Sequence, residues 1–193
     1  EIMKQIPDKS VDLVLTDPPY GINFQSNSVK VKRHDVLVND KDFDIGKYWD
    51  EIIRITKDKG SIYVFCRWDI AYKWQEVIKP DSQIIISRGR VSMGDLSDYS
   101  DEYEVILYKK IGKHIIDATP LKIKNNSHIK NPPEFKSRIG NLWVDVKCNE
   151  AWERASHPTQ KTVESLSKII RVSTKETDIV FDPFLGSGTT AVA

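Results

Sequence analysis

Cysteine is scarce: Cys66 and Cys148 are the only two in 193 residues, far apart and without metal-ligand spacing. A disulfide scaffold and a cysteine-built metal site are thereby excluded, no metal is expected, and a reducing, cytoplasmic setting fits best. Long apolar runs are also missing. Stretches such as Ile62 to Cys66 fall far below the ~20 residues a membrane span needs, so no membrane partner is expected. No basic segment followed by an apolar one opens the chain, so no secretory signal is expected either. Charge of one sign is not in excess, with 29 Lys and Arg against 28 Asp and Glu and a net charge of +1. The overall balance therefore does not announce a nucleic-acid module. What is present is a globular mixture, 39% hydrophobic and 30% charged, which excludes wholesale disorder and suits one domain over residues 1–193.

Local clustering says more than the total. Lys30, Lys32, Arg33 and His34 sit together, and Lys122, Lys124, Lys130, Lys136 and Arg138 recur in a stretch with few acids. By charge alone, both read as solvated faces.

The apolar pattern alternates between two periods. Val11 to Leu15, Ile62 to Cys66, Ile84 to Ile86, Val105 to Tyr108 and Ile179 to Phe181 are β-branched or aromatic runs of strand length. Between them, three helical stripes are predicted. The first joins Ile45, Tyr48, Trp49, Ile52 and Thr56, with Gly60 as its stop. The second joins Ile70, Trp74, Val77 and Ile78 and ends at Pro80; the third joins Val163, Leu166, Ile169, Ile170 and Ser173. Strands alternating with helices predict an α/β fold, a mainly parallel sheet with helices on both faces. Gly21 to Asp42 reads as a long polar loop, and 117–155 as a largely irregular insert.

Two strand ends carry the chemistry. Thr16-Asp17-Pro18-Pro19-Tyr20-Gly21 follows the first strand, and open α/β sheets bind ligands beyond their carboxyl strand ends. Pro18 and Pro19 make a stiff turn with free carbonyl acceptors, Asp17 adds an anionic acceptor, and Tyr20 a flat face. Two acceptors and an aromatic plane suit an exocyclic amine on a planar base. Asp182-Pro183-Phe184-Leu185-Gly186-Ser187-Gly188-Thr189-Thr190 follows the last strand. Its paired glycines let backbone approach a ligand closely, with a helix start beyond them. It has neither the lysine of a phosphate loop nor the third glycine of the dinucleotide fingerprint.

With both clusters in one α/β chain, the sequence resembles an S-adenosylmethionine-dependent DNA amino-methyltransferase. In that family Asp-Pro-Pro-Tyr, here Asp17 to Tyr20, is the catalytic motif, and Phe-x-Gly-x-Gly, here Phe184 to Gly188, is the cofactor motif. His157-Pro158-Thr159-Gln160-Lys161 resembles the segment that helps hold the methionine end of the cofactor. The stretch from Met93-Gly94-Asp95 to Tyr103-Glu104-Val105-Ile106-Leu107 resembles the mid-domain pattern. The catalytic motif comes first, as in the permuted beta class, and the fold implied is a permuted Rossmann-like methyltransferase fold.

The resemblance implies methyl transfer from S-adenosylmethionine to adenine N6 in double-stranded DNA. Asp17, Pro18, Pro19 and Tyr20 are the implied catalytic residues. Asp17, His157, Thr159, Gln160, Lys161, Asp182, Pro183, Phe184, Gly186, Ser187, Gly188 and Thr189 are the implied cofactor contacts. The target nucleotide must leave the duplex, and Lys30, Lys32, Arg33 and His34 are placed to contact DNA. Neither cysteine lies in a Pro-Cys turn, which argues against cytosine-C5 chemistry. N4-cytosine methylation is the alternative within the same chemistry, and a catalytically silent DNA-binding fold the alternative outside it. Methylation of a protein or RNA amine ranks below both. A homodimer and a restriction endonuclease partner are left open. Thr162 stands where the family usually has proline, a change expected to matter little because threonine also starts helices. Because the chain closes at Ala193, just past Thr190, a truncated cofactor pocket is expected.

Overall fold

A computed structural model describes residues 2–21, 43–87, 99, 102–121, 139–144, 146 and 160–193. Alternating strands and helices run through it in chain order: β1 Val11–Thr16, α1 Gly46–Ile55, β2 Thr56–Cys66, α2 Trp68–Ile78, β3 Ser82–Ser87, β4 Tyr103–Lys110, β5 Leu142–Trp143, α3 Val163–Ser173, β6 Val180–Phe181 and α4 Thr189–Val192. Among the described residues the strands form one sheet in the order β5-β3-β4-β2-β1-β6. β1 is parallel to β2 and β6, and β3 is parallel to β5, while β4 is antiparallel to both neighbours. The mainly parallel sheet is as expected.

The central strands are apolar at nearly every position because both faces are covered. Val14, Ile62, Val64, Val105 and Leu107 face the cluster built with Trp49, Ile52 and Ile55 of α1 and Trp74 and Ile78 of α2. The alternate residues Leu13, Leu15, Tyr63, Phe65, Ile106 and Tyr108 face Leu166 and Ile169 of α3. Helices therefore lie on both faces. From β1 the chain moves through α1 to β2 on one side; β6 arrives through α3 on the other side. The β1/β6 boundary is thus a topological switch point, where an open α/β sheet leaves a crevice.

Several sequence-based expectations need correcting. Gly60 does not stop α1. The helix closes at Thr56, whose N–H bonds to the Ile52 and Ile53 carbonyls and whose hydroxyl donates to Ile52 O at 2.6 Å. Gly60 lies inside β2, where a Cβ would sit 2.7 Å from the Asp12 carbonyl oxygen and 2.7 Å from Thr56 Cγ2. A close backbone approach, not a helix end, demands glycine there. Gly60→Ala is expected to destabilise the protein by about 1–3 kcal/mol through overpacking, read as a lower urea midpoint; an unchanged midpoint would show that β1 yields freely.

In α2 the buried face is Ala71, Trp74 and Ile78, and Val77 is exposed, as is Val163 at the start of α3. Two stripes were therefore drawn one residue too wide. Pro80 follows a left-handed cap at Lys79, φ 47°. Within 117–155 the described residues include a 3-10 turn at Thr119–Leu121 and β5, which pairs with β3. Two residues are too short a run for periodicity to reveal. Thr162 does start α3, its side chain accepting from Ser165 N at 3.1 Å. No described helix is long and apolar enough to cross a membrane. The Gly21–Asp42 loop lies, after Gly21, outside the described residues.

Candidate functional site

β1, β2 and β6 run parallel, so their carboxyl ends share one edge of the sheet. Antiparallel β4 brings its beginning to the same edge, with Val105 opposite Cys66 and Glu104 opposite Ile86. Four separate stretches of sequence converge there: 16–20 after β1, 104 on β4, 160–161 before α3 and 182–190 after β6.

Asp17 and Lys161 join the first three of these stretches. The Oδ1 of Asp17 accepts from the Tyr20 hydroxyl at 2.5 Å, and Lys161 Nζ lies 3.3 Å from its Oδ2. Lys161 also donates to Tyr20 Oη at 3.1 Å and lies 3.6 Å from Glu104 Oε2. The ammonium sits 5.2 Å from the centre of the Phe65 ring and 5.6 Å from that of Tyr20. The Lys161 side chain is only 10% exposed, against 25% for each carboxylate. A lysine this buried survives as a cation only with anions beside it. Burial alone would lower its pKa, but Asp17 and Glu104 outweigh that and hold it well above the ordinary lysine range. Burial raises the Asp17 carboxyl despite the opposing pull of Lys161. Burial and the Asp17 charge push the Tyr20 phenol far up, so it is a neutral donor. The Tyr20 ring packs against Trp74, with centroids 6.2 Å apart.

The second cluster is organised by Asp182. Its Oδ1 accepts from Thr16 Oγ1 at 2.9 Å and from Phe184 N at 3.0 Å, and its Oδ2 from Thr190 Oγ1 at 2.7 Å. One carboxylate thus ties the end of β1 to both ends of the glycine loop, which places the two motifs side by side. Phe184 meets Phe43 and Tyr48 edge-on at 5.3 and 5.5 Å. Gly186 and Gly188 have positive φ, 54° and 80°, a conformation only glycine adopts cheaply. Among the described residues, a Cβ at Gly188 would meet nothing within 4 Å, and one at Gly186 only the Phe184 carbonyl at 3.7 Å. Ser187 and Thr189 bond to each other at 2.8 Å.

Asp17, Tyr20, Lys161, Asp182, Phe184 and the two glycines are therefore at one sheet edge, as their motifs implied. Gln160 lies beside Lys161 in sequence and is described; His157, Thr159, Lys30, Lys32, Arg33 and His34 lie outside the described residues. Glu104, Phe43 and Tyr48 lie at the site without having been singled out by sequence, and Thr16 and Thr190, inside the two motifs, acquire their role only through Asp182. For Glu104 the usable signal is a carboxylate directly before the apolar run Val105 to Leu107. Cys66 is buried at the end of β2, its thiol pushed up to about 12 by burial, so it is no activated nucleophile.

A sequence profile of the DNA methylase family, of the N6/N4 type, matches residues 11–193. The chain belongs to that family. This DNA methylase is 31% identical over 211 residues to the DNA adenine methyltransferase YhdJ of Escherichia coli K12, covering 97% of this chain and 69% of the relative. It is 27% identical over 204 residues to the type II methyltransferase M.HpaI of Haemophilus parainfluenzae, covering 97% and 61%. Among solved structures, M1.HpyAVI in complex with SAM matches with a TM-score of 0.64 at 20% identity, covering 99% of the methylase and 78% of that chain. The cytosine-N4-specific PvuII DNA methyltransferase matches with a TM-score of 0.66 at 16% identity, covering 100% and 73%. At those identities the shared property is the fold.

Proposed function

We propose that this methylase transfers a methyl group from S-adenosylmethionine to N6 of adenine in double-stranded DNA. The observation that carries the reading is the Asp182 carboxylate, which docks the glycine loop against the strand that ends in Asp17 to Tyr20. The residues present fit the cofactor: at Gly186 and Gly188 the backbone carries no Cβ and, among the described residues, almost nothing stands where one would point, and the strand end bearing the Asp17 carboxylate is docked beside the loop. Phe184, Gly186, Ser187 and Gly188 would hold it, with Asp17, Gln160 and Lys161 toward the reacting end. His157 and Thr159 are assigned there by motif alone. When bound, S-adenosylmethionine supplies an electrophilic methyl carbon.

The residues of the chain prepare the acceptor. An exocyclic amine is a poor nucleophile because its lone pair is delocalised into the ring. Hydrogen bonds from that amine to the Asp17 carboxylate and the Pro18 carbonyl draw the nitrogen toward a tetrahedral shape and localise the pair. Preorganised acceptors then face the positive charge as it develops. A carboxyl whose proton affinity is already raised is suited to take the proton the methylated amine must shed. Tyr20 offers the stacking face, worth about 1–3 kcal/mol by analogy with other base-stacking platforms, and Pro19 stiffens the turn. The nucleotide must be extruded to reach this depth.

Adenine is favoured by the aspartate at the first motif position and by the likeness to a relative named as an adenine methyltransferase. N4-cytosine is the second reading, supported by the fold shared with a cytosine-N4-specific enzyme. Unmethylated DNA incubated with methyl-labelled cofactor and hydrolysed to nucleosides separates them. N6-methyldeoxyadenosine is expected. N4-methyldeoxycytidine would reassign the base, and absence of label would reject the transfer.

Lys30, Lys32, Arg33 and His34 are proposed to contact phosphates. Changing Lys32 and Arg33 together to Ala is expected to weaken DNA binding and reduce the slope of log K against log salt by about 1–2. An unchanged slope would return the segment to an ordinary solvated face.

A further inference from the structure

We propose that Phe43 is a positioning residue for methyl transfer: its ring bridges the glycine loop and the wall behind Tyr20, and so sets the spacing between methyl donor and acceptor. The inference rests on the reading of Phe184 to Gly188 as the cofactor loop and of Tyr20 as the stacking face. Phe43 lies outside both motifs, just ahead of α1, where Asp44 accepts from Gly46 N at 2.9 Å. Its ring stacks on that of Tyr48 in the first turn of α1, with centroids 5.5 Å apart and planes 7° from parallel. An apolar pair flanking a capped helix start is an ordinary staple, and by itself would say nothing about function. Phe43 does more than a staple requires. It meets Phe184 of the glycine loop edge-on at 5.3 Å and Trp74 of α2 at 6.2 Å, and Trp74 in turn backs Tyr20 at 6.2 Å.

Rings therefore run from one motif to the other, with Phe43, Trp74 and Tyr20 packed on the core face of α1 and α2. The polar tie does a different job. Asp182 bonds to Thr16 and Phe184 N, which fixes the backbone root of the loop beside β1. The Tyr20 ring lies further along the turn, pinned at its hydroxyl by Asp17 and Lys161 and backed by Trp74. Closely packed rings cannot shift separately, so Phe43 carries the placement of Phe184 to the Trp74 wall. Transfer depends steeply on the separation of the reacting atoms, and a residue that fixes this spacing acts on rate. Each half keeps holders of its own without the Phe43 ring: Asp182 and Tyr48 for Phe184, Asp17 and Trp74 for Tyr20.

A leucine variant separates the bridge from the staple. Phe43→Leu keeps an apolar partner for Tyr48 but has no ring to meet Phe184 and Trp74. In the full chain its urea midpoint and its affinity for S-adenosylhomocysteine should stay near normal. Single-turnover transfer with cofactor and DNA both saturating should be about 10–100-fold slower. Phe43→Tyr, which keeps the ring, should recover most of that rate. A second readout needs no turnover. With 5-fluorotryptophan in place of tryptophan, and Trp74→Phe identifying the signal, S-adenosylhomocysteine should shift the Trp74 fluorine resonance in the normal protein and not in Phe43→Leu. Phe184→Leu, without any ligand, should do the same. If the leucine variant does not fold, Phe43→Met fills the place with an adaptable side chain and is read instead. A normal single-turnover rate in the ringless variant would overturn the inference. So would a Trp74 shift that survives loss of the Phe43 ring, or a Trp74 resonance indifferent to Phe184→Leu. Failure of the normal protein to bind S-adenosylhomocysteine would instead overturn the reading of the cofactor loop, and the Phe184→Leu shifts would still decide the role of Phe43.

Discussion

Asp17→Asn should lower the rate of methyl transfer by about 10³-fold in single-turnover measurements, with a much smaller effect on cofactor affinity. The substitution keeps the size of the side chain and one carbonyl acceptor. It removes the charge, and it presents an amide N–H₂ where one carboxylate oxygen now faces Lys161 or Tyr20. That amide would set donor against donor, a mismatch costlier than simple loss of a bond. The same logic fixes the pH dependence of the normal enzyme. Transfer needs the ionised carboxyl, so the rate falls as pH drops through the Asp17 titration. Since burial raises that midpoint, the fall should begin at a higher pH than for an exposed aspartate. An asparagine variant within a few-fold of normal activity would remove Asp17 from the mechanism.

Asp182→Ala should have the largest effect on the architecture of the site. Both carboxylate oxygens are occupied, by Thr16, Phe184 N and Thr190, and truncation leaves three donors without their acceptor. Hydrogen bonds to a charged group contribute about 1.5–3 kcal/mol each and do not add, so a loss of roughly 2–4 kcal/mol is expected in urea unfolding. Cofactor affinity should fall with it, because the glycine loop is no longer docked against β1. Asp182→Asn should lose less on both counts, since its carbonyl can keep the Thr16 and Phe184 bonds and its amide can donate to the Thr190 hydroxyl. Stability unchanged in the alanine variant would mean that the loop is held by the Phe43, Tyr48 and Phe184 rings instead.

Much of this was legible in the residues. Strands buried on both faces announce themselves as continuous β-branched runs, so β1 and the apolar halves of β2 and β4 are legible together with the two strand-end motifs, whereas the polar stretches that complete β2 back to Thr56 and β4 to Tyr103 and Lys110 are not. Local punctuation was less reliable. Gly60 looked like a helix stop because sequence shows a glycine's freedom, not the neighbouring Asp12 carbonyl that requires it. Val77 and Val163 joined stripes they do not belong to, because a helical period tolerates a residue at the margin of a face. Glu104 was the costliest omission. Its partner Lys161 is 57 residues away in sequence (161 − 104), and only the reversal of β4 against β2 brings them together. Asp182 is expected from its motif as a cofactor contact, but its bonds to Thr16, Phe184 N and Thr190 are not legible there. Sequence displays which groups are available; pairing across the sheet decides what each is attached to.

The most direct measurement is a crystal structure of the protein with S-adenosylhomocysteine, the demethylated product. The thioether is predicted to lie between the Asp17 to Tyr20 turn and the Phe184 to Gly188 loop, with open space on the Tyr20 side for a base. A product bound anywhere else, or bound with its sulfur turned away from Asp17, would contradict the account.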